Sequence, residues 1–318
     1  MPSATELVCA LGAASDLVGI SHECDFPEEI RDRAVLTSAR IDAGGSSRQI
    51  DAAVRAVVRD ALSIYVVDES RLAQLEPDVI ITQDLCEVCA VSLDDVRAAV
   101  ARLAHRDHVR IVSLRPTRLA DVLDDVERVA VALQRPERGH RVRVALEARI
   151  RAVADRAART ATRPRVVSIE WLDPMMLGGT WMPELIDLAG GVAAGVAAGC
   201  PAPTVDVAEL SRLDPEVIVV KPCGFGIERT LAERSLIECA IVAAAPEARV
   251  YVTDGNAFFN RPGPRLVESL EIMAACVHPE AFADLAARHA AVIVPLTREA
   301  VTRAPRRPPG GAAPGHAR

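Results

Sequence analysis

Two cysteines three positions apart, Cys86 and Cys89, end a short apolar run, Asp78-Val-Ile-Ile-Thr-Gln-Asp-Leu-Cys-Glu-Val-Cys-Ala-Val-Ser92. Thiols at this spacing can form half of a zinc site or cycle between thiol and disulfide. No second Cys-x-x-Cys and no paired-histidine motif stands nearby to complete a metal site, so His22, Cys24 or Cys223 would have to join the pair by convergence in space. Redox chemistry is the weakest reading, because Cys89 stands three residues before the helix cap expected at Ser92. Buried thiols lining a pocket are the leading reading, with a structural or transported metal as the alternative. His22 is a candidate ligand for a metal or for cobalt through its neutral imidazole, weighed against the ordinary role of a hydrogen-bonding loop residue.

The elements that must position these groups alternate between helix and strand. Residues 79–82 are β-branched and follow Pro77, which suits a parallel strand covered on both faces, and a helix is expected over 93–103. The thiols then lie between a strand's carboxyl end and a helix, where open α/β sheets bind ligands. Upstream, the pattern predicts a helix over 6–11 stopped by Gly12, a strand over 17–20, a helix over 50–61, a strand over 63–67 and a helix over 69–75. A strand over 111–114 is followed by an amphipathic helix over 117–133 and a second helix over 140–159, long enough at ~30 Å to bridge two lobes. After Pro164 the alternation restarts with a strand over 165–169, a loop and a helix over 183–189.

The restart is a duplication. The stretch from Val67 and Asp68 to Ile81 aligns without a gap on that from Val205 and Asp206 to Val219, with Leu72 over Leu210 and Pro77 over Pro215, and Glu6-Leu-Val8 sits over Glu184-Leu-Ile186. Two α/β halves from one ancestral unit follow from this match. In the second half a strand precedes the helix at Pro183, whereas its counterpart in the first half would fall upstream of Met1. The expectation is a start codon placed too late rather than a lost strand, since a missing sheet strand would expose an unpaired edge. The expected domains are an amino-terminal lobe over 1–116, a helical segment over 117–163, a carboxy-terminal lobe over 164–302 and a disordered tail over 303–318 rich in Pro, Gly, Arg and Ala.

Five loops at strand carboxyl ends collect around one cleft: 22–27, 83–89, 170–181, 221–229 and 253–265. Of nine aromatic residues in the chain, Phe26, Trp171, Trp181, Phe225, Phe258 and Phe259 fall in these loops. They offer rigid, amphipathic area to a flat ligand, or else cap the core of each lobe. Glu170, Asp173, Asn256, Asn260 and Arg261 could orient amide or carboxylate substituents, although Asn256 and Arg261 flank Gly255 and Pro262 and could serve turn geometry alone. There is no nucleophile elbow, and Gly224-Phe-Gly226 is too short for a dinucleotide fingerprint, so no nucleotide is expected.

Composition bounds the partners. The net charge of −7 without a basic block in the folded part argues against nucleic acid. Lys221 is the sole lysine. No apolar stretch reaches the ~20 residues of a membrane span, and the first residues lack an export signal. The eight scattered cysteines read as free thiols in a reducing compartment, with Cys9, Cys239 and Cys276 as packing residues. As the sequence stands, the chain is expected in the cytoplasm, and outside it only if the start is truncated.

Several phrases carry a resemblance: Pro2-Ser-Ala-Thr-Glu6, Gly19-Ile-Ser-His-Glu-Cys-Asp-Phe-Pro27, Leu75-Glu-Pro-Asp-Val-Ile-Ile-Thr82, Ser113-Leu-Arg-Pro116 and Thr82-Gln-Asp-Leu-Cys-Glu-Val-Cys-Ala-Val91. With them the chain resembles the cobalamin-binding, substrate-binding proteins of ABC transporters, in a branch without a signal sequence. The resemblance implies the class III periplasmic-binding-protein fold, two duplicated Rossmann-like α/β lobes joined by a long helix, here over 140–159. It implies a non-enzymatic binder that clamps cobalamin or another corrinoid between the lobes. The residues placed at that ligand are His22, Cys24, Asp25, Phe26, Asp84, Cys86, Cys89, Glu170, Trp171, Trp181, Phe225, Asn256, Phe258, Phe259, Asn260 and Arg261, with His22, Cys86 or Cys89 on the metal. One acidic residue per lobe would dock on an ABC permease, with Glu69 and Glu209 as candidates, although Glu69 aligns with Val207 rather than with Glu209. Haem or an iron siderophore is the alternative cargo, and a thiol-dependent metal-trafficking or corrinoid-processing protein the alternative class.

Overall fold

A computed structural model describes residues 1–59, 64–83, 93–101 and 108–296. Asp84, Cys86, Cys89 and the tail lie outside the described residues. The amino-terminal lobe comprises helix α1 (Pro2–Ala10), strands β1 (Gly19–Ile20), β2 (Ala34–Val35) and β3 (Thr37–Ala39), α2 (Ser47–Arg59), β4 (Tyr65–Val67), α3 (Glu69–Leu75), β5 (Val79–Gln83), α4 (Leu93–Ala101) and β6 (Arg110–Leu114). Helices α5 (Leu119–Ala132) and α6 (Pro136–Ala157) lead to the second lobe. That lobe contains β7 (Arg165–Trp171), β8 (Met176–Leu177), α7 (Met182–Leu188), β9 (Val192–Ala193), α8 (Val207–Arg212), β10 (Val217–Val220), α9 (Ile227–Ala232) and α10 (Arg234–Leu236). A π-helical turn (Ile237–Val242), β11 (Arg249–Thr253), α11 (Leu266–Val277), α12 (Ala283–Arg288) and β12 (Ile293–Leu296) complete it.

The second lobe's sheet runs β12-β11-β10-β7-β8, with β9 also on β7. β7, β9, β10 and β11 are parallel and the two edge strands antiparallel. The central strand β10, Val-Ile-Val-Val, is 0% exposed along its whole length, as a continuous β-branched run covered on both faces requires.

The duplication extends to backbone conformation. Asp68 and Asp206 cap the amino ends of α3 and α8, accepting from the Arg71 N–H at 2.9 Å and the Glu209 N–H at 2.7 Å. Leu72 and Leu210 are both buried beneath them. Both helices exit near a left-handed residue, Glu76 at φ 44° and Asp214 at φ 46°, one position before the aligned prolines. Gly12 and Gly190, which end α1 and α7, share positive φ at 69° and 83°.

One apolar core joins the lobes. Leu7 and Val8 of α1, Val126 and Val129 of α5, Leu146 and Ile150 of α6, Leu185 of α7 and Leu270 of α11 belong to a single cluster. The 22-residue α6 is fixed to both sides by ion pairs, Arg143 to Asp124 and Glu127, Arg149 to Glu268 and Glu271, and Arg156 to Asp284. It begins four residues earlier than its thin apolar stripe predicts, because Pro136 occupies the first turn, where a missing N–H costs nothing. Cys276 packs in the core, but Cys239 is exposed on the π-helical turn and is not a packing residue.

The first lobe's sheet is in pieces. Among the described residues β1 pairs only with β2, β3 with β4, and β5 with β6. A cavity of about 730 Å³ lies between β1 and β5 beneath α1.

Candidate functional site

The loops after β1, β7, β10 and β11 meet where the lobes face each other. Asp25, in the first lobe, reaches the second. Its carboxylate accepts two hydrogen bonds from the Arg261 guanidinium, one at 3.0 Å from Nη2, and one at 3.1 Å from Asn256 Nδ2. Arg261 Nη2 also donates to Asn256 Oδ1 at 3.0 Å, closing a three-residue ring of polar contacts. Burial raises the Asp25 pKa, but the hydrogen bonds and charge of Arg261, with Asn256 and Arg265, outweigh it and hold the carboxyl below its ordinary value.

Behind this pair Glu6 of α1, 3% exposed, accepts from Arg265 Nε at 2.9 Å and stands 3.4 Å from Arg261 Nη1. The Arg265 guanidinium lies 4.1 Å from the Phe26 ring centroid and 5.4 Å from that of Phe258. Phe26 is 45% exposed, an apolar ring held at the surface by a cation instead of by core packing. On the second lobe the Trp171 and Phe225 rings sit 5.2 Å apart at 59°, and the Arg229 guanidinium stands 4.5 Å over Phe225. Trp171 Nε1 is buried without a hydrogen-bond partner.

A first-lobe segment bridges to these loops. Arg229 Nη2 donates to the carbonyls of Ala43, at 3.0 Å, and Gly45. Ser47 donates to Glu233 from its N–H at 2.7 Å and its hydroxyl at 2.6 Å, and Arg48 Nε donates to Asp173 Oδ2 at 2.7 Å.

Several residues expected at a ligand are committed to the fold. Trp181 is 3% exposed and donates Nε1–H to the Phe259 carbonyl at 2.8 Å, and Phe259 is 0% exposed, so both are core residues and not cleft walls. Phe225 is 4% exposed and acts from beneath Trp171 and Arg229. Cys24 is buried, its Sγ 3.1 Å from Thr5 Oγ1 and 3.4 Å from Ser21 Oγ, which removes it from a ligand surface. Lys221, fully buried, donates to Glu170 Oε2 at 3.2 Å and to Asn260 Oδ1 at 2.9 Å. The amide of Asn260 donates in turn to the carbonyls of Lys221 and Gly255. Glu170 and Asn260 thus partner a buried ammonium instead of facing a ligand.

His22 is exposed, its Nδ1 2.7 Å from Thr37 Oγ1 and its ring 5.1 Å from that of Tyr65, whose hydroxyl donates to Glu23 at 2.6 Å. Among the described residues no group of three or more His, Cys, Asp or Glu converges on a metal position, so His22, Cys24 and Cys223 do not gather. Glu209 is exposed and completes the capping box of α8, accepting from the Asp206 N–H at 2.8 Å, while Glu69 opens α3 one residue after its cap.

Sequence reasoning missed Glu6, Arg265, Tyr65 and the 43–48 segment. Glu6 and Arg265 are 259 positions apart and meet only in the fold. The run Asp42-Ala-Gly-Gly-Ser-Ser47 did carry a loop signal.

No helix among the described residues is long and apolar enough to cross a membrane. Among curated proteins none matches the chain significantly. Solved structures do match in fold. A periplasmic haem-binding protein from Pseudomonas aeruginosa is 19% identical over 93% of this chain and 92% of its own, with TM-score 0.65. A periplasmic haem-binding protein from Roseiflexus sp. RS-1 is 21% identical over 90% and 96%, with TM-score 0.64. The periplasmic vitamin B12-binding protein of Vibrio cholerae is 18% identical over 90% and 95%, with TM-score 0.62. Residues 1–257 match the family described as periplasmic binding protein. With two duplicated α/β lobes whose strand-end loops meet and a family match over most of its length, this chain belongs to the periplasmic binding protein family.

Proposed function

We propose that the chain binds a corrinoid between its lobes, without chemical turnover, for delivery to an ABC-type permease or for corrinoid handling in the cell. The observation that carries this reading is the set of rings and guanidinium groups where the lobes face each other, Phe26 of the first lobe against Arg265 and Phe258 of the second, with Trp171 tilted against Phe225 and Arg229 nearby. A corrin is large, flat and fringed with amides. Aromatic rings and guanidinium planes suit its faces, and the half-buried Asp25 and Asn256 suit its amides. The likeness in fold to a vitamin B12-binding protein supports the choice.

Haem is the second reading, favoured by the exposed His22. With Nδ1 at Thr37, its Nε2 is the nitrogen left for an axial metal bond. Purified protein titrated with hydroxocobalamin and, separately, with haemin, followed by absorbance and calorimetry, tests both. Saturable cobalamin binding at micromolar concentration is expected. Its absence refutes the corrinoid reading, and a haemin Soret shift lost in His22→Ala would put haem in its place. Cobalamin binding with unchanged axial-ligand bands would remove only ligation by His22.

A further inference from the structure

The amino end of α2 is capped from the other lobe. Ser47 opens this helix, and its N–H is one of the donors that a helix leaves without an internal partner. Glu233, just past the end of α9 in the second lobe, accepts from that N–H at 2.7 Å and from the Ser47 hydroxyl at 2.6 Å, one through each carboxylate oxygen. The helix dipole favours a carboxylate at this end. Arg229 stands four positions before Glu233, one turn back on the same side of α9. It donates to the carbonyls of Ala43 at 3.0 Å, Gly44 at 3.4 Å and Gly45, the backbone that leads into α2.

Little else holds α2 in place. Of its 13 residues only Ser47 and Ile50 are buried. Its own capping pair is uneven, with the Ser46 N–H 2.8 Å from Gln49 Oε1 but the Gln49 N–H 3.4 Å from Ser46 Oγ. Helices shorter than ~12–15 residues are marginal in water without packing, so α2 depends on the cap that Glu233 supplies. The anchors of this segment bracket the aromatic pair of the second lobe. Asp173, which accepts from Arg48, lies two positions after Trp171, and the Arg229 guanidinium stands 4.5 Å over the Phe225 ring.

We infer that residues 43–59 form a lid on the cleft, latched by Glu233, which opens by release of Ser47 and fraying of α2 from its amino end while the lobes stay packed. Arg229 is the positioning residue of this lid. One guanidinium covers Phe225 and gathers the carbonyls of the lid, so the aromatic pair and the lid are held by the same group. A ligand seated against Trp171 then steadies the closed lid, and by linkage the closed lid tightens its hold on the ligand by the same factor. The role of the lid in ligand exchange rests on binding between the lobes. Its latch does not.

Amide hydrogen exchange without ligand tests the latch. Exchange over 47–59 is expected to quicken by about tenfold in Glu233→Ala, and by less in Ser47→Ala, while α1, α6 and α11 keep their rates. Unchanged exchange over 47–59 would overturn the latch, and quickening that spreads to α1, α6 and α11 would overturn it by showing that the lobes part instead. Ligand release tests the lid. Hydroxocobalamin or haemin, whichever binds, is expected to leave Glu233→Ala about tenfold faster in a competitor chase followed by absorbance. An unchanged release rate in a variant whose α2 exchanges faster would take the lid off the path of the ligand. Bound ligand should slow exchange over 47–59 in the unaltered protein and not in Arg229→Met; equal protection in both would remove Arg229 from its positioning role. Binding of neither compound refutes the two ligand readings and with them the role in ligand exchange, while the measurement without ligand still decides the latch.

Discussion

The contact between Asp25 and Arg261 is the sharpest test of how the lobes are held in register. Arg261 is 8% exposed in its side chain and Asp25 41%. An exposed ion pair contributes ~0–1 kcal/mol, and removing one partner of a fully buried pair costs ~3–5 kcal/mol. With a buried guanidinium, a carboxylate open to solvent on one side and two hydrogen bonds between them, the coupling should be about 2 kcal/mol. The experiment is a double-mutant cycle of Asp25→Asn, Arg261→Met and the double variant, each unfolded in urea. Arg261→Met should be the costlier single change, because it also takes a cation from Glu6, although Arg265 still neutralises that carboxylate. Asp25 titrates below its ordinary value when folded, so its contribution is complete above the unfolded pKa and fades as pH falls through the folded one. A coupling below about 0.5 kcal/mol at pH 7 would refute the pair as a lobe-to-lobe tie.

Three further outcomes follow from other parts of the molecule. Glu271 is 5% exposed in its side chain; burial raises its pKa, but hydrogen bonds from His289 and Arg149 overcome this and bring it to about 2. Glu271→Gln should therefore lose about 3 kcal/mol at pH 7, a loss that shrinks between about pH 4.5 and pH 2 in urea titrations across that range. A Cβ on Gly255 would stand 2.1 Å from the Pro222 carbonyl oxygen, so Gly255→Ala should lower the melting temperature and cost about 1–3 kcal/mol or more as the two cleft loops are forced apart. Trp171→Ala should weaken binding of the proposed corrinoid by about tenfold in calorimetry while leaving the fold intact by circular dichroism, since its partly buried ring belongs to neither of the large core clusters.

What the sequence made legible was whatever is written locally or repeated. The β-branched run 79–82 announces a strand, and its aligned copy Val217 to Val220 is buried along its whole length. The left-handed Glu76 and Asp214 lie next to prolines that the alignment had already paired. Two-residue strands such as β8 and β9 carry no period to detect, and they form on the edge that the longer β7 offers them. In the cleft the difficulty was of another kind. A loop arginine or glutamate has the same sequence signature whether it faces a ligand or a buried partner. Glu170 and Asn260 went to Lys221, and Arg261 to Asp25, through contacts spanning 39 to 236 positions. The lone lysine was the usable clue, because an ammonium buried in a sheet must draw polar groups to itself.

The pseudo-symmetry of the lobes explains where motion is cheap. Glu6 of α1 binds Arg265 at the start of α11, and Glu184 of α7 binds Arg118 at the start of α5, accepting also from the Leu119 N–H at 2.8 Å. Each lobe's first helix thus anchors the other elements of a helical layer whose apolar side chains form one cluster. Swinging the lobes apart would open that cluster to water at ~25 cal/mol per Å² and break both ion pairs. The 43–48 segment has no such backing. It is tied across the cleft by Arg229, Glu233 and Asp173, and of its own residues Ala43, Gly44, Ser46 and Arg48 are exposed. Of these ties the exposed pair of Arg48 with Asp173 is worth little, and the two hydrogen bonds from the buried Ser47 to Glu233 are the stronger hold. Entry of the ligand proposed above therefore costs less by release of this segment than by separation of the two lobes.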